Sequence, residues 1–453
     1  MEPEVSQRSL EAPKSALNPL RDAKNWVPLL QEPAYKPRRI RIVCVGAGYS
    51  SLMTAYEVKY NKALGDFIDL TIYDKNEDVG GTWLENRYPG VACDIPAHIY
   101  TFPFEPNPEW STFYASGPEI FQATWDEPSS KWRLKIRQDG EEKEDECNIL
   151  IDGSGFLNNW NWPGIEGLHD FKGELEPSID VAGKKVAVIG NGSSAIQVFP
   201  QLQKTAAQLT NYIRSPTWIF SNHAADLTKD GRNFAFTEEE KKGFCDNPAS
   251  LFKLRREIER SADNFFKIFF KDSAAQKAAL AQAHASMRER LGNDQELCDK
   301  LIPRYELGCR RATPGDGYLE ALREKNARVN VNPIVQITES GIQTTHEHTE
   351  FDIIVCATGF DVSYRPSWTI QGRNGHQLNL AWSDSPEAYF GIAAANTPNY
   401  FIFNGPNSPV GHGSLLDNIF CVTKWILKWC RKMATEDIKS ICVKQEALDD
   451  YNT

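Results

Sequence analysis

The chain has 453 residues, 41% of them hydrophobic, which is enough apolar material for a substantial core and for two or three domains. Its 50 basic and 61 acidic residues leave a net charge of −11, which argues against nucleic acid as a partner. Ten cysteines, at 44, 93, 147, 245, 298, 309, 356, 421, 430 and 442, form no CxxC pair, so a structural zinc site or disulfide framework is not expected and a reducing compartment is.

Residues 1 to about 38 are polar, proline-containing and aperiodic, and read as a loose arm without the apolar stretch of a signal peptide. No run has the apolar length of a membrane span, so a cytoplasmic protein with no membrane partner is expected. Arg39 to Val45 reads as a buried parallel strand, Tyr49 to Tyr60 as the helix after it and Leu70 to Tyr73 as the next strand, which together make a βαβ unit. Residues 78–118 are rich in Gly, Pro and aromatics and predict long wrapping loops. Trp132 to Ile136 and Cys147 to Ile151 read as strands around an acidic turn. Gly183 to Leu202 opens a second unit, with Thr210 to Ile213 as its second strand.

Residues 236–300 are charged, helical in period and nearly free of Gly and Pro. Leu254, Ile258, Ala262, Phe265 and Phe269 would share one side of a helix. An insertion covering a cleft and a mere packing decoration are equally compatible with that pattern. His346 and His348, in Thr-His-Glu-His-Thr-Glu, read as a solvated turn and not as a metal site. Strands return at Val329 to Val331, Asp352 to Cys356 and Tyr400 to Phe403, and Asp417 to Met433 is a closing helix.

Two glycine-rich turns carry the chemistry. Gly46-Ala47-Gly48 and Gly190-Asn191-Gly192 each end an apolar run and open a helical stretch. Such a turn brings backbone and helix N-terminus up to a pyrophosphate. Two turns predict two dinucleotides and a relay of electrons between them. Asp74 ends the second strand of the first unit, where a carboxylate binds ribose hydroxyls and favours FAD or NAD. A solvated strand-end Asp is the rival reading. The matching place in the second unit holds Arg214 and Ser215, a phosphate clamp that points to NADPH. Ser51 and Ala195 replace the third glycine of each fingerprint and are small enough to keep helix and strand packed. The fold class is therefore α/β, with two dinucleotide-binding, Rossmann-like domains and a helical insertion in the second. Residues 39–178 and 329–453 are expected to form the FAD-binding domain, and 179–328, with the insertion at 236–300, the NADP-binding domain.

The run from Gly80 through Thr82-Trp83-Leu84-Glu85, Arg87-Tyr88-Pro89-Gly90 and Ala92-Cys93-Asp94 is distinctive. With Gly190 to Gln197, Gly308-Cys309-Arg310-Arg311 and Ala357-Thr358-Gly359-Phe360-Asp361, it resembles the class B flavoprotein monooxygenases of the Baeyer–Villiger type, in the form common in fungal secondary metabolism. The resemblance implies FAD contacts at Gly46, Gly48, Asp74, Thr82, Trp83, Leu84, Glu85, Asp94 and Tyr100. It implies NADPH contacts at Ala92, Cys93, Asp94, Asn191, Gly192, Ser193, Ser194, Ala195, Ile196, Gln197, Arg214, Ser215 and Arg310. Arg311 falls on the family's essential arginine, a fixed cation for an anionic C4a-peroxyflavin and for the oxyanion of its ketone adduct, and Asp94 would orient it. The implied partners are a small organic substrate, a ketone or a soft heteroatom, and molecular oxygen.

Three places depart from the family pattern. Ser116 to Ile120 and Ala123 to Glu127 nearly abut where the family has a helix and a strand between them. After Phe171-Lys172-Gly173, Pro177 and Val181 stand where the family has His and Trp. The family pattern also implies a further segment beyond Thr453. A remnant that keeps dinucleotide binding without coupled oxygenation is the alternative these departures leave open. A disulfide reductase needs a close cysteine pair, which the sequence lacks.

Overall fold

The computed structural model describes residues 37–453 apart from 65, 116–131, 133, 139–140, 158, 161, 176–179, 221–223, 229–230, 311–312 and 409–412. The arm through residue 36, Ser116 to Ile120, Ala123 to Glu127, Pro177 and Arg311 thus lie outside the described residues.

The first unit is built on β1 (Ile40–Val45), whose apolar run is covered on both faces, as a central parallel strand requires. Helix α1 (Tyr49–Tyr60) leads from it to β2 (Ile68–Tyr73), and the one-turn helix α2 (Thr82–Glu85) follows. The hairpin β3 (Leu134–Gln138) and β4 (Glu141–Asp145) precedes β5 (Ile149–Asp152). The segment expected as an acidic turn is therefore mostly strand: β4 pairs antiparallel with β3. The reason is visible in Arg41, a buried cation in β1 that reaches Asp69 at 3.2 Å and Asp145 at 3.1 Å and so anchors the end of β4.

The second unit repeats the plan: β6 (Lys185–Ile189), α3 (Ser193–Gln203) and β7 (Gln208–Tyr212). Next come the insertion helices α4 (Glu238–Asp246), α5 (Pro248–Phe265), α6 (Ala274–Arg290) and α7 (Gln295–Leu301). After α8 (Tyr318–Ala321), β8 (Ala327–Asn330) joins β7. A small antiparallel sheet of β9 (Ile334–Thr338), β10 (Gly341–Thr344) and β11 (His348–Glu350) precedes β12 (Ile353–Cys356), which pairs with β6. His346 and His348 are both exposed, His348 within β11. The chain returns to the first unit through β13 (Tyr400–Ile402), which pairs with β5, and helix α9 (Leu415–Thr435) covers that sheet.

Two four-stranded sheets result, ordered β13-β5-β1-β2 and β12-β6-β7-β8. The boundary expected at 329 is corrected by these pairings. Residues through Cys356 belong to the second unit, because β8 and β12 complete its sheet. No helix among the described residues is long and apolar enough to cross a membrane.

The insertion bridges the two units. Its α6 and α7 place Ala279, Ala283, Met287, Cys298 and Leu301 in the core of the second. Ile258 of α5, with Phe236, Phe244 and Leu254, packs instead on Cys93, Ile95 and Ile99 of the first. Phe269 departs from the expected stripe, since it lies beyond α5 and is exposed.

His98 sits in that bridge, 1% exposed, its ring edge-on to Phe236 at 4.9 Å and Phe244 at 5.3 Å, with neither nitrogen hydrogen-bonded. Burial, and then the charge of Arg255, push its pKa down to about 4 from 6.5. As pH falls, the unfolded chain takes up this proton first, so stability present above 6.5 is lost progressively as pH drops toward 4. By linkage the loss is on the order of 3 kcal/mol at the acid end. His98→Leu should flatten the fall in unfolding free energy across that window, as measured by urea titration at each pH. A slope equal to that of the parent protein would show that His98 is not the group responsible.

Candidate dinucleotide and oxygenation site

The two glycine turns have nearly the same backbone. Gly46 has φ +97 and Gly190 φ +116, a region that only glycine enters freely. A Cβ on Gly46 would fall 2.5 Å from the carbonyl oxygen of Gly153, just past β5. A Cβ on Gly190 would fall 2.4 Å from the carbonyl oxygen of Ala357, just past β12. The helices then begin at Gly48 (φ −82, ψ −170) and Gly192 (φ −78, ψ −175). Neither has a side-chain cap or an acidic residue in its first turn. Each therefore presents backbone N–H groups and positive dipole to an anion, as a pyrophosphate requires.

In the first unit, Gly81 at the start of α2 closes over Gly48: a Cβ on Gly81 would fall 3.1 Å from the Gly48 Cα. The backbone N–H of Gly80 donates to the Ala47 carbonyl at 3.1 Å. This brings Thr82, Trp83, Leu84 and Glu85, all half-buried, beside the turn. Asp74 accepts from the Ala47 N–H at 2.6 Å and from the Asn76 N–H at 2.8 Å, so it is held at the turn and is not merely solvated. Those two bonds leave lone pairs on the carboxylate for ribose hydroxyls. Glu85 lies next to it, accepting from Asn76 Nδ2 at 2.8 Å and paired with Lys75 at 3.1 Å. Trp83 Nε1 donates to the Tyr100 hydroxyl at 3.3 Å, and Tyr49 packs edge-on to Tyr100. The tyrosines of this region are pushed up by burial first, and the charge of Asp94 adds to the rise at Tyr88, Tyr100 and Tyr114. Asp94 thus sits within electrostatic reach of all three.

In the second unit, Asn191 Nδ2 donates to the Ser215 carbonyl at 2.8 Å, which ties the turn to the end of β7. Arg214 is exposed there. The Arg310 guanidinium lies 5.6 Å from the centre of the Tyr305 ring, and the Tyr305 hydroxyl donates to the Pro216 carbonyl at 3.2 Å. Arg214, Ser215 and Arg310 are therefore gathered at one strand end, an arrangement able to grip a ribose phosphate.

Four members of the expected NADPH set face elsewhere, and the first, Cys93, is buried in the apolar cluster that Ile258 joins. Ala195 and Ile196 are buried in the core of the second unit, and the Ile196 N–H is spent on the Gly192 carbonyl. Gln197 gives its side-chain amide to the first unit. A helix turns about 100° per residue, so a contiguous motif cannot place all its side chains on one ligand. Asn191, Gly192 and Ser193 remain on the open side, and Ser194 lies beside the Tyr88 hydroxyl. Sequence reasoning passed over Tyr88 as a site residue. Its signal was the Pro89-Gly90 pair that follows, a turn dipeptide.

The family description NAD(P)-binding Rossmann-like domain matches residues 44–116. The chain is 47% identical to the FAD-binding monooxygenase tazF of Aspergillus terreus, over 94% of this chain and 82% of that protein. It is 31% identical to a Baeyer-Villiger monooxygenase of Pseudomonas aeruginosa, over 92% of this chain and 81% of that one. The crystal structure of OTEMO in complex with FAD and NADP has the same fold, with a TM-score of 0.76 over 92% of this chain and 88% of that one, at 23% identity. The chain belongs to the FAD-binding monooxygenases of the Baeyer–Villiger type. It is a flavin-dependent oxidoreductase.

Arg214→Ala should remove a charge-assisted contact of about 1.5–3 kcal/mol and so raise the KM for NADPH about 10- to 100-fold, with the KM for NADH little changed. Initial rates with each nicotinamide check this. Gly190→Ala should introduce roughly 2 kcal/mol of strain and abolish reduction by NADPH while FAD stays bound, read from the flavin absorbance of the purified protein.

Proposed function

We propose that this enzyme inserts one oxygen atom beside the carbonyl of a flat, aromatic ketone, in secondary metabolism. Bound FAD and NADPH would supply hydride transfer and oxygen activation. Overall, ketone, O2, NADPH and a proton give ester, water and NADP+, one oxygen atom going to each of the first two products.

The observation that carries the reading is the pair of uncapped glycine turns with matched backbones, joined by the 86–94 loop that ends at Asp94. On this reading Asp94 and Arg311 act together. Arg311 supplies a fixed positive charge for the anion that attacks the carbonyl and for the oxyanion that follows, and Asp94 holds the guanidinium in place. The other contacts proposed for FAD are Gly46, Gly48, Asp74, Thr82 to Glu85 and Tyr100. Those for NADPH are Ala92, Asn191 to Ser194, Arg214, Ser215 and Arg310.

The substrate class rests on three phenylalanines. Phe266, Phe269 and Phe270 are 46%, 44% and 58% exposed, which is unusual for rings that touch one another at 6.1 and 5.5 Å. Phe269 packs on Gly308, where a Cβ would lie 3.6 Å from its ring, in the stretch leading to Arg310 and Arg311. Gln276 fixes that stretch by donating to the Leu307 carbonyl at 3.1 Å. An exposed aromatic wall suits a planar substrate.

Arg311→Ala should leave anaerobic flavin reduction by NADPH within a few-fold of the parent and lower ester formation by about two orders of magnitude or more. Unchanged ester formation would remove Arg311 from the mechanism. Phe269→Ala should raise the KM for a tricyclic aryl ketone about tenfold and leave that for cyclohexanone nearly unchanged, by loss of one ring contact.

A further inference from the structure

The loop from Asn86 to Asp94 makes a polar clasp on the second unit. Val91 N–H donates to the Tyr88 carbonyl at 3.1 Å, which closes a turn with Pro89 and Gly90 at its centre. Gly90 has φ +84, and a Cβ there would fall 2.7 Å from the Gln197 carbonyl oxygen, so only glycine lets the turn lie on α3. The Tyr88 ring packs on the core of the second unit. Its hydroxyl donates to Gln197 Oε1 at 3.0 Å, and Gln197 Nε2 donates back to the Ala92 carbonyl at 2.9 Å. One glutamine amide thus holds both ends of the turn.

The two ends of this clasp lead straight to the two dinucleotide turns. Upstream, α2 begins at Gly81, which is seated on Gly48. Downstream on α3, Gln197 is five residues past Gly192, about 7.5 Å along the helix. We infer that Tyr88 and Gln197 are positioning residues for hydride transfer: the clasp sets how the nicotinamide site of the second unit faces the flavin site of the first. Neither side chain needs to touch a reacting atom. Hydride transfer demands reacting atoms about 3–3.5 Å apart, and a displacement of about 1 Å can cost a hundredfold in rate. The inference rests on the FAD and NADPH chemistry of the family and not on the identity of the substrate, so its test needs no product assay.

The test is a pair of variants, Tyr88→Phe and Gln197→Leu, with the double variant. Tyr88→Phe keeps the packed ring and deletes only the hydroxyl. Stopped-flow reduction under anaerobic conditions, over a series of NADPH concentrations, gives the limiting rate and the apparent Kd separately. The limiting rate is expected to fall about tenfold in each single variant. The apparent Kd for NADPH should move less than threefold, with FAD content and Tm unchanged. The double variant should be no slower than the slower single one, because both remove the same clasp. A limiting rate equal to the parent's in Tyr88→Phe would overturn the inference. So would a Gln197→Leu enzyme whose NADPH Kd rises tenfold at an unchanged limiting rate, since that would make Gln197 a ligand of the dinucleotide.

Discussion

The architecture depends on a contact in which a side chain would have no room: a glycine α-carbon against the carbonyl of the neighbouring strand's exit. Gly46 meets Gly153 in this way and Gly190 meets Ala357. The contact lets each chain turn sharply off its central strand and start a helix at once, before any residue can cap it. The helices accordingly begin with unsatisfied N–H groups. A missing cap costs about 1 kcal/mol in an ordinary helix. On the proposed reading these N–H groups receive a pyrophosphate, so binding would be coupled to folding and each dinucleotide would stabilise the unit that holds it.

The same physics explains what the sequence disclosed. A strand buried on both faces must be continuously apolar, and Ile40–Val45 and Lys185–Ile189 are so apart from Arg41 and the exposed Lys185. A phosphate turn must carry glycines at fixed places, and it does. Local constraints of this kind leave their mark in adjacent residues. Pairing between distant strands leaves none: nothing in Asp352 to Cys356 says that it lies against β6 and not against the first sheet, which is why the boundary at 329 was misplaced. The acidic segment 141–145 was illegible for a related reason. Its charge suits a solvated edge strand as well as a turn, and its partner Arg41 is a hundred residues earlier in the chain.

The site was legible at the level of motifs and less so at the level of faces. Asp74 is held at the first glycine turn, Thr82 to Glu85 form α2 beside it, and Arg214 lies just past β7. Ile196 and Gln197 share a motif with Ser193 and Ser194, but the helical twist sends one into the core and the other to the opposite unit. Tyr88 sits in a Pro-Gly turn, and what such a turn rests on is decided by tertiary packing alone.

The two units are joined by bridges of different character, and the difference assigns them different work. The apolar bridge buries Ile258 completely, with Phe236, Phe244 and Leu254, against Cys93, Ile95 and Ile99. Full burial of one such side chain is worth about 2 kcal/mol, so several together dominate the adhesion between the units. The polar clasp consists of two hydrogen bonds, each worth about 1 kcal/mol net. It adds little adhesion, but hydrogen bonds are directional and apolar contacts are not. The apolar bridge therefore keeps the units together, and the clasp fixes their mutual register. His98 marks the limit of this division. It places an ionisable group with no hydrogen-bond partner inside the apolar bridge, next to Arg255. Acid therefore acts on the adhesive contact through His98, while burial pushes the Tyr88 hydroxyl further up.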